Sequence, residues 1–433
     1  MKKTLLLLTA MLFSVASVFA QVTWGLTNGT LTISGTGAMP SNWWGYGVPW
    51  YSNQSSITTI VIESGVVSIC NAAFWGCSNL TTFTITNGPN PLNLGASDPI
   101  FGSCPLFTTV NLGRNISGTP FQNRTSITKV NITGNNVNKI EDSAFSGCSS
   151  LSSINLPNTI TSIGSSAFND CTSLISINLP NSINKIAQGA FSYSGLLSIE
   201  IPTNINNIGQ NAFSGCKNLT TFSIVNGTNP LSFGDYVFLG CSQLQTVNLG
   251  RNISGTPFQN IKTITKVNIT GNSVDRIENS AFYGCTGITI ITSENPTPPI
   301  SGNNCFYDVN KTTSMVNVPY DSRCLYKAAN GWKDFENIID GTTYLCEQSI
   351  DDIPENQLQI YPNPTTGKLS VVSVQLSVES IEIFDVYGRN VASHHFIISS
   401  SNHLINISHL SAGVYFVKIR TEAGEVVRKV VKE

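Results

Sequence analysis

The chain has 433 residues, a formal net charge of −2 and only 11% charged residues, where an average protein carries about 25%. Ser, Thr and Asn supply the polarity that charges usually provide. A near-neutral, charge-poor surface has no electrostatic footprint for nucleic acid or an acidic membrane, so both are excluded as expected partners.

Met1 to Ala20 joins Lys2 and Lys3 to the apolar run Leu5 to Val18 and ends in Val18-Phe19-Ala20. This pattern predicts a secretory signal peptide, cut between Ala20 and Gln21. The run is short for a bilayer crossing and no later segment is apolar for long enough, so no transmembrane span is expected. The first cysteine is Cys70, which leaves none at the mature N-terminus to carry a lipid. Residues 21–56 alternate apolar positions around Leu31 and Ile33, then turn to Gly, Pro and aromatics. They read as a hairpin and loop that form an N-terminal cap. Trp43, Trp44, Tyr46, Trp50 and Tyr51 suit that cover, with a sugar-stacking patch as the alternative.

Between residues 57 and 340 one pattern returns. Phe74, Phe101, Phe121, Phe145, Phe168, Phe191, Phe213, Phe238, Phe258, Phe282 and Phe306 follow one another at spacings of 20 to 27 residues. Such a period predicts a solenoid, because each unit is too small to bury its own apolar face and must share a core with its neighbours. In a typical unit Leu151, Ile154 and Leu156 point inward while Ser153 and Asn155 point out. Pro157 and Asn158 break that strand, Ile160 and Ile163 return to the core, and Ala167-Phe168 begins a short helical turn.

Seven of the eleven cysteines lie three residues after a repeat Phe: Cys77, Cys104, Cys148, Cys171, Cys216, Cys241 and Cys285. Coils stacked roughly 5 Å apart would hold these side chains parallel rather than aimed at each other, which predicts a buried column of free thiols. Cys305, Cys324 and Cys346 lie off the column, and Cys324 with Cys346 is the one disulfide expected. A larger duplication is superposed on the period. Leu80 to Asn123 is similar to Leu219 to Asn260, with Thr109 to Asn123 and Val247 to Asn260 identical over their overlap. Two copies of one binding surface or recent gene duplication explains that identity.

The motif I-x-x-I-G-x-x-A-F-x-x-C-x-x-L-x-x-I-x-L-P at Ile160 to Pro180 resembles the BspA-like leucine-rich repeats of bacterial surface proteins. The opening LTISGTGAMP and the closing Val316 to Asp340 resemble the ends of such arrays. The coils at Phe121, Phe258 and Phe306 lack the Cys, and distortion is expected there. The family implies adhesion or ligand capture at the cell surface.

Residues 341–357 lose the repeat and read as a linker. From 358 to 433 short alternating strands with turns at Pro362-Asn363-Pro364, Tyr387-Gly388 and Ala412-Gly413 predict a small β-sandwich. Three motifs and a basic end resemble the type A sorting domain of the Por, or type IX, secretion system. They are Ile360-Tyr361-Pro362-Asn363-Pro364, the run from Ile383 through Asp385, Tyr387, Gly388 and Arg389, the run from Leu410 through Gly413 and Tyr415 to Lys418, and the basic end Arg428 to Lys432. The resemblance implies export across both membranes, contact with outer-membrane secretion machinery, and removal of the domain within the linker. The expected architecture is thus a leucine-rich repeat solenoid, mostly β with short helical turns, followed by a small all-β immunoglobulin-like sandwich.

The repeat region contains no histidine, since His394, His395, His403 and His409 all follow residue 357. That removes Ser/His and Cys/His nucleophilic pairs and histidine-ligated metal from the solenoid. Glu141, Asp142, Asp275 and Glu278 adjoin Lys139 and Arg276 and read as solvated ion pairs on an open face, not as a glycosidase pair in a cleft. No catalytic residue, metal or cofactor is expected. The candidate binding face is the outward row of the main strand: Thr84, Asn111, Asn131, Asn155, Asn178, Glu200, Asn248 and Asn268, with Lys129 and Lys266 two residues before Asn131 and Asn268. The expectation is an exported repeat protein that binds an extracellular protein or glycan. The alternative is a structural, self-associating surface-layer or biofilm-matrix protein.

Overall fold

The computed structural model describes residues 21–43, 45–95, 100–271, 273–341, 358–373, 377–395, 402–421 and 424–433. The expected signal peptide, Trp44, Cys346 and the expected linker after Gly341 lie outside the described residues. The chain divides into two compact units, Met1–Asn317 with Asn330–Asn337, and Val318–Ala329 with Ile338–Glu433.

The first unit is a solenoid of parallel strands. Its main sheet runs through Thr59–Ile62, Thr82–Ile85, Thr109–Arg114, Lys129–Asn136 and Ser153–Ile154. It resumes with Ser198–Ile201, Thr221–Ile224, Thr246–Leu249, Lys266–Ile269, Ile290–Ser293 and Met315–Asn317. In most of these strands one side chain of every two is buried, as in Thr82–Ile85, where Phe83 and Ile85 go inward. Full burial of such residues stabilises by about 1.5–3 kcal/mol apiece. A second row of short strands closes the other side of each coil, from Lys139–Ile140 through Ser162–Ile163, Lys185–Ile186 and Asn207–Ile208 to Ile253–Ser254.

Between these rows the repeat phenylalanines form one continuous stack. Consecutive rings from Phe74 to Phe306 lie 5.3 to 5.9 Å apart. Trp50 stacks on Phe74 at 6.0 Å, and Trp332 and Phe335 close on Phe306 at 5.3 and 5.5 Å. Trp50 is fully buried and its indole N–H donates to the Ala73 carbonyl, so it belongs to the apolar core and not to a surface patch. The antiparallel hairpin Thr23–Thr27 with Thr30–Ser34 completes that end, its second strand pairing in parallel with Thr59–Ile62.

The Ala–Phe segment differs from the expected helical turn. It is a chain of three-residue turns, such as Ala167 N–H to Gly164 and Cys171 N–H to Phe168. Left-handed residues two before and two after the Phe interrupt any helix, for example Ser166 (φ 53°) and Asp170 (φ 55°) around Phe168. That requirement explains the recurrent Gly before the Cys, as at Gly147 (φ 73°), since a side chain there costs about 1–2 kcal/mol.

The cysteine column is buried and its thiols are free. Each of Cys104, Cys148, Cys171, Cys216, Cys241 and Cys285 donates its S–H to the carbonyl of the repeat Phe in the preceding coil, at 3.0 to 3.2 Å. The expected distortion of coils without the Cys is not found. Rings 121, 258 and 306 keep the stack, with interplanar angles of 4° to 18° to their neighbours. In the Phe121 coil Arg124 stands at the Cys position and donates to the Phe101 carbonyl at 3.1 Å. Cys305 is also free and buried, at the Ala position before Phe306, and Cys324 is disulfide-bonded.

The main sheet breaks once. From repeat Phe to the first inward residue of the next strand there are nine residues in most coils, as from Phe168 to Ile177, but eight from Phe191 to Ile199. Gly195 packs against the backbone of Thr172, and between Ser153–Ile154 and Ser198–Ile201 only the Asn155–Asn178 bridge forms.

In the second unit two antiparallel sheets face each other. One holds Leu358–Tyr361, Lys368–Ser373 and Asn402–Asn406, the other Asn390–His395, Val378–Phe384, Gly413–Thr421 and Gly424–Lys432. Leu369, Val371, Ile381, Ile383, Val417 and Ile419 form the core between them.

Candidate binding face and sorting motif

The outward row is brought into register by the strand pairing. Thr84 lies beside Asn111 and Asn111 beside Asn131, while Glu200, Ser223, Asn248, Asn268 and Thr292 follow one another in the second half. Side chains are bonded along the row. Asn131 donates to Asn111 (2.7 Å) and Asn111 to Thr84 (2.9 Å), and in the second copy Asn268 donates to Asn248 (2.6 Å) and Asn248 to Ser223 (2.7 Å). An amide has two N–H donors and two acceptor sites, so a ladder of this kind leaves half of its capacity turned to solvent. Lys129 and Lys266 are exposed on the neighbouring positions, in line with Thr109 and Thr246. Asn155, Asn178 and Glu200 are exposed at the break, which divides the face into two patches, one in each copy of the duplication.

Part of the duplicated identity is structural. Arg114 and its counterpart Arg251 are buried, at 1% and 0% exposure, and form no ion pair among the described residues. Arg114 donates to the carbonyls of Ser64 (2.9 Å), Asn90 (3.1 Å), Glu63 (2.9 Å) and Val66 (2.8 Å). Arg251 does the same to Thr203, Asn229, Pro202 and Ile205. Each guanidinium thus ties three successive coils, and burial holds its pKa below the ordinary arginine value. Charged residues spaced 137 positions apart in identical strings were the available sequence signal.

The carboxylates weighed as acids are engaged locally. Lys139 pairs with Glu141 at 2.8 Å, Asp142 accepts from the Ser165 N–H, and Asp275 accepts from Asn252. Among the described residues no group of three or more His, Cys, Asp or Glu could hold a metal, and no helix is long and apolar enough to cross a membrane.

In the second unit the three sorting segments converge on one end of the sandwich. Asn363, between Pro362 and Pro364, donates to the Lys429 carbonyl and accepts from the Val431 N–H, both at 2.9 Å. Thr365 bridges Lys432, and Gly413 pairs with Lys432 in the same register. Phe384 pairs with Phe416, which brings the Asp385–Arg389 turn to that end as well. Asp385 accepts from the N–H groups of Tyr387 and Arg389 and from the Arg389 guanidinium. Against a desolvation cost, these bonds hold its carboxyl below the usual range. Gly388 takes φ 77° to close the turn, and Tyr387 and Tyr361 are exposed. Tyr415 is buried, with its hydroxyl donating to the Ser411 carbonyl at 2.9 Å, the corner contact that pins a loop in immunoglobulin-like sandwiches.

A stacked parallel coil with one inward Phe per turn, and a buried Cys in seven of the turns, is the architecture of a leucine-rich repeat solenoid. The family model described as BspA type leucine rich repeat region matches in six copies, over residues 49–120, 114–245 and 228–329. The chain belongs to this family, and residues 359–433 match the secretion system C-terminal sorting domain. Among solved structures it is similar to a leucine-rich repeat protein from Bacteroides ovatus, with 21% identity over 75% of this chain and 99% of that one and a TM-score of 0.40. A leucine-rich repeat protein from Eubacterium ventriosum gives 19% identity, 67% and 93% coverage and a TM-score of 0.35. The Treponema pallidum leucine-rich repeat protein gives 24%, 52% and 87%, and 0.33. Comparison with curated proteins gives no match. The sorting domain marks the chain for export, to the outer cell surface or beyond it.

Proposed function

We propose that the exported chain is a non-enzymatic binding protein that captures an extracellular protein or glycan on the outward strand face. Leucine-rich repeat solenoids are typically binding scaffolds. The observation that supports the reading is the pair of matching patches, Lys129 with Asn131 and Lys266 with Asn268, in which an amide ladder holds each Asn on the sheet beside an exposed Lys. Side chains already locked by their neighbours lose little entropy when a partner docks, so their remaining donors and acceptors bind at low cost. Two equal patches on one rigid body also favour a repetitive partner, which gains avidity by engaging both. The converging end of the sorting domain, with Asp385, Arg389 and the exposed Tyr387, is the surface offered to the outer-membrane machinery.

The test is binding of the mature chain to an array of extracellular proteins and glycans, beside a variant with Lys129, Asn131, Lys266 and Asn268 changed to Ala. A partner bound by the parent and lost in the variant is the expected result. A partner retained by the variant refutes the strand face. Concentration-dependent assembly of the parent that the same variant abolishes would replace ligand capture with lateral self-association.

A further inference from the structure

The two copies of the duplication part company at one place. Their strings Gly118 to Asn123 and Gly255 to Asn260 are identical, yet Leu94, Pro99 and Gly102 of the first copy correspond to Phe233, Tyr236 and Leu239 of the second. In the first copy the Trp75 indole lies where a side chain on Gly102 would have to go. At the equivalent of Trp75 the second copy has the small Ser214, whose hydroxyl donates to the Leu239 carbonyl at 3.1 Å. A groove of about 730 Å³ opens there on the turn edge, lined by residues that include Asp235, Tyr236, Leu239, Thr256, Gln259 and Lys262. Pockets of 300–1,000 Å³ are the size that takes small ligands.

We propose that this groove is a binding site for a neutral oligosaccharide. Tyr236 is 64% exposed and Leu239 61%, so both apolar surfaces are free to meet a ligand. Around them stand a hydroxyl, an amide, a carboxylate and an ammonium, with the charges of Asp235 and Lys262 cancelling. A pyranose ring presents an apolar C–H face and a rim of hydroxyls, and this lining complements both. A peptide finds less here, because the turn backbone is already bonded to the next coil, as in Gly215 N–H to Leu239 and Asn260 N–H to Tyr283, and offers no strand edge. At the same turn position as Leu239, two and three coils further on, Tyr283 and Tyr307 stack at 4.9 Å. They extend the aromatic surface along the array axis, which favours a chain of sugars over a single one.

Tyr236 also sits at φ 57°, where other coils place Ala72, Ser143, Ser166, Gly189, Asn211, Ser280 and Asn304. A bulky ring in that conformation is an outlier, and such strain gathers at ligand clamps. The site stands apart from the strand face and does not rest on its role.

The experiment is calorimetric titration of the mature chain with cellohexaose, chitohexaose, maltohexaose and laminarihexaose, and with a sulfated chondroitin hexasaccharide as the charged contrast. At least one neutral hexasaccharide should bind, with affinity falling tenfold or more in Tyr236→Gly and in Gln259→Ala. Tyr236→Gly relieves the backbone and should melt no lower than the parent, which separates lost binding from lost folding. The strand-face variant should bind the sugar unchanged. No binding by any neutral probe, binding by the sulfated one alone, or full affinity in Tyr236→Gly each overturns the proposal.

Discussion

Two buried arginines show how much a single residue decides in this molecule. Arg114 serves carbonyls in two preceding coils and forms no ion pair among the described residues, so its replacement leaves acceptors buried without donors. Arg114→Met should cost about 3 kcal/mol, read by chemical denaturation, with amide exchange rising first around Glu63 to Val66. Arg251→Met should cost the same and add to it, because the two sites are far apart in the chain and share no carbonyl. The thiols carry a second prediction. Burial, foremost, pushes Cys77, Cys148 and Cys285 from the ordinary 9.0 up to about 12. Above pH 9 the unfolded chain releases these protons while the folded chain keeps them, so stability falls as pH rises toward 12 and is unaffected by these groups below pH 8. Each thiol contributes about 1.4 kcal/mol per pH unit in that window. Urea melts between pH 8 and 11 should show that slope, reduced when Cys148 is changed to Ser. A thiol reagent at pH 8 should label Cys70, which is only partly buried, before any member of the column.

At the level of the coil, legibility followed range. Phe, Cys and the alternating strand residues act within one unit and its neighbours, so their spacing alone gave the solenoid, the free-thiol column and the outward row. The turn that was expected to be helical depends on two left-handed residues whose identities range from Gly to Tyr, and no composition rule reveals them. The arginine ties join residues about 50 positions apart through backbone carbonyls, which carry no side-chain signal. The groove was readable in principle, by setting Tyr236 against Pro99 and Leu239 against Gly102, but only the structure gives that difference a shape. The short Phe191 coil was likewise present in the count. Its consequence is local: backbone amides from Ile175 to Ile177 lack the ladder of the flanking strands and should exchange faster than those of Thr109–Arg114 or Thr246–Leu249, as measured by hydrogen exchange.

Taken whole, the described solenoid is a one-dimensional object whose stability is a sum over coils and their contacts. Its ends are closed by large aromatics, Trp50 on one side and Trp332 with Phe335 on the other. In such an object a loss at one end frays the adjoining coils first and leaves the distant ones folded. Trp332 is buried, and its indole N–H donates to the Pro299 carbonyl at 2.7 Å. Trp332→Ala should therefore cost about 3–5 kcal/mol, seen as loss of protection that begins at the Phe306 coil while the Phe145 coil stays intact.

Each arginine tie finds its acceptors in the two coils ahead of it, one group inside its own copy of the duplicated block, residue 90 for Arg114 and 229 for Arg251, and one group before it, residues 63–66 and 202–205. Equivalent carbonyls therefore stand ready ahead of both copies. A crossover joining Asn111 directly to Leu249 would put Arg251 over the acceptors of Arg114 and yield a shorter array in unbroken register. The reverse exchange would lengthen it by one block. A lineage carrying this gene can thus tune the reach of its array by recombination alone, without inventing a new contact.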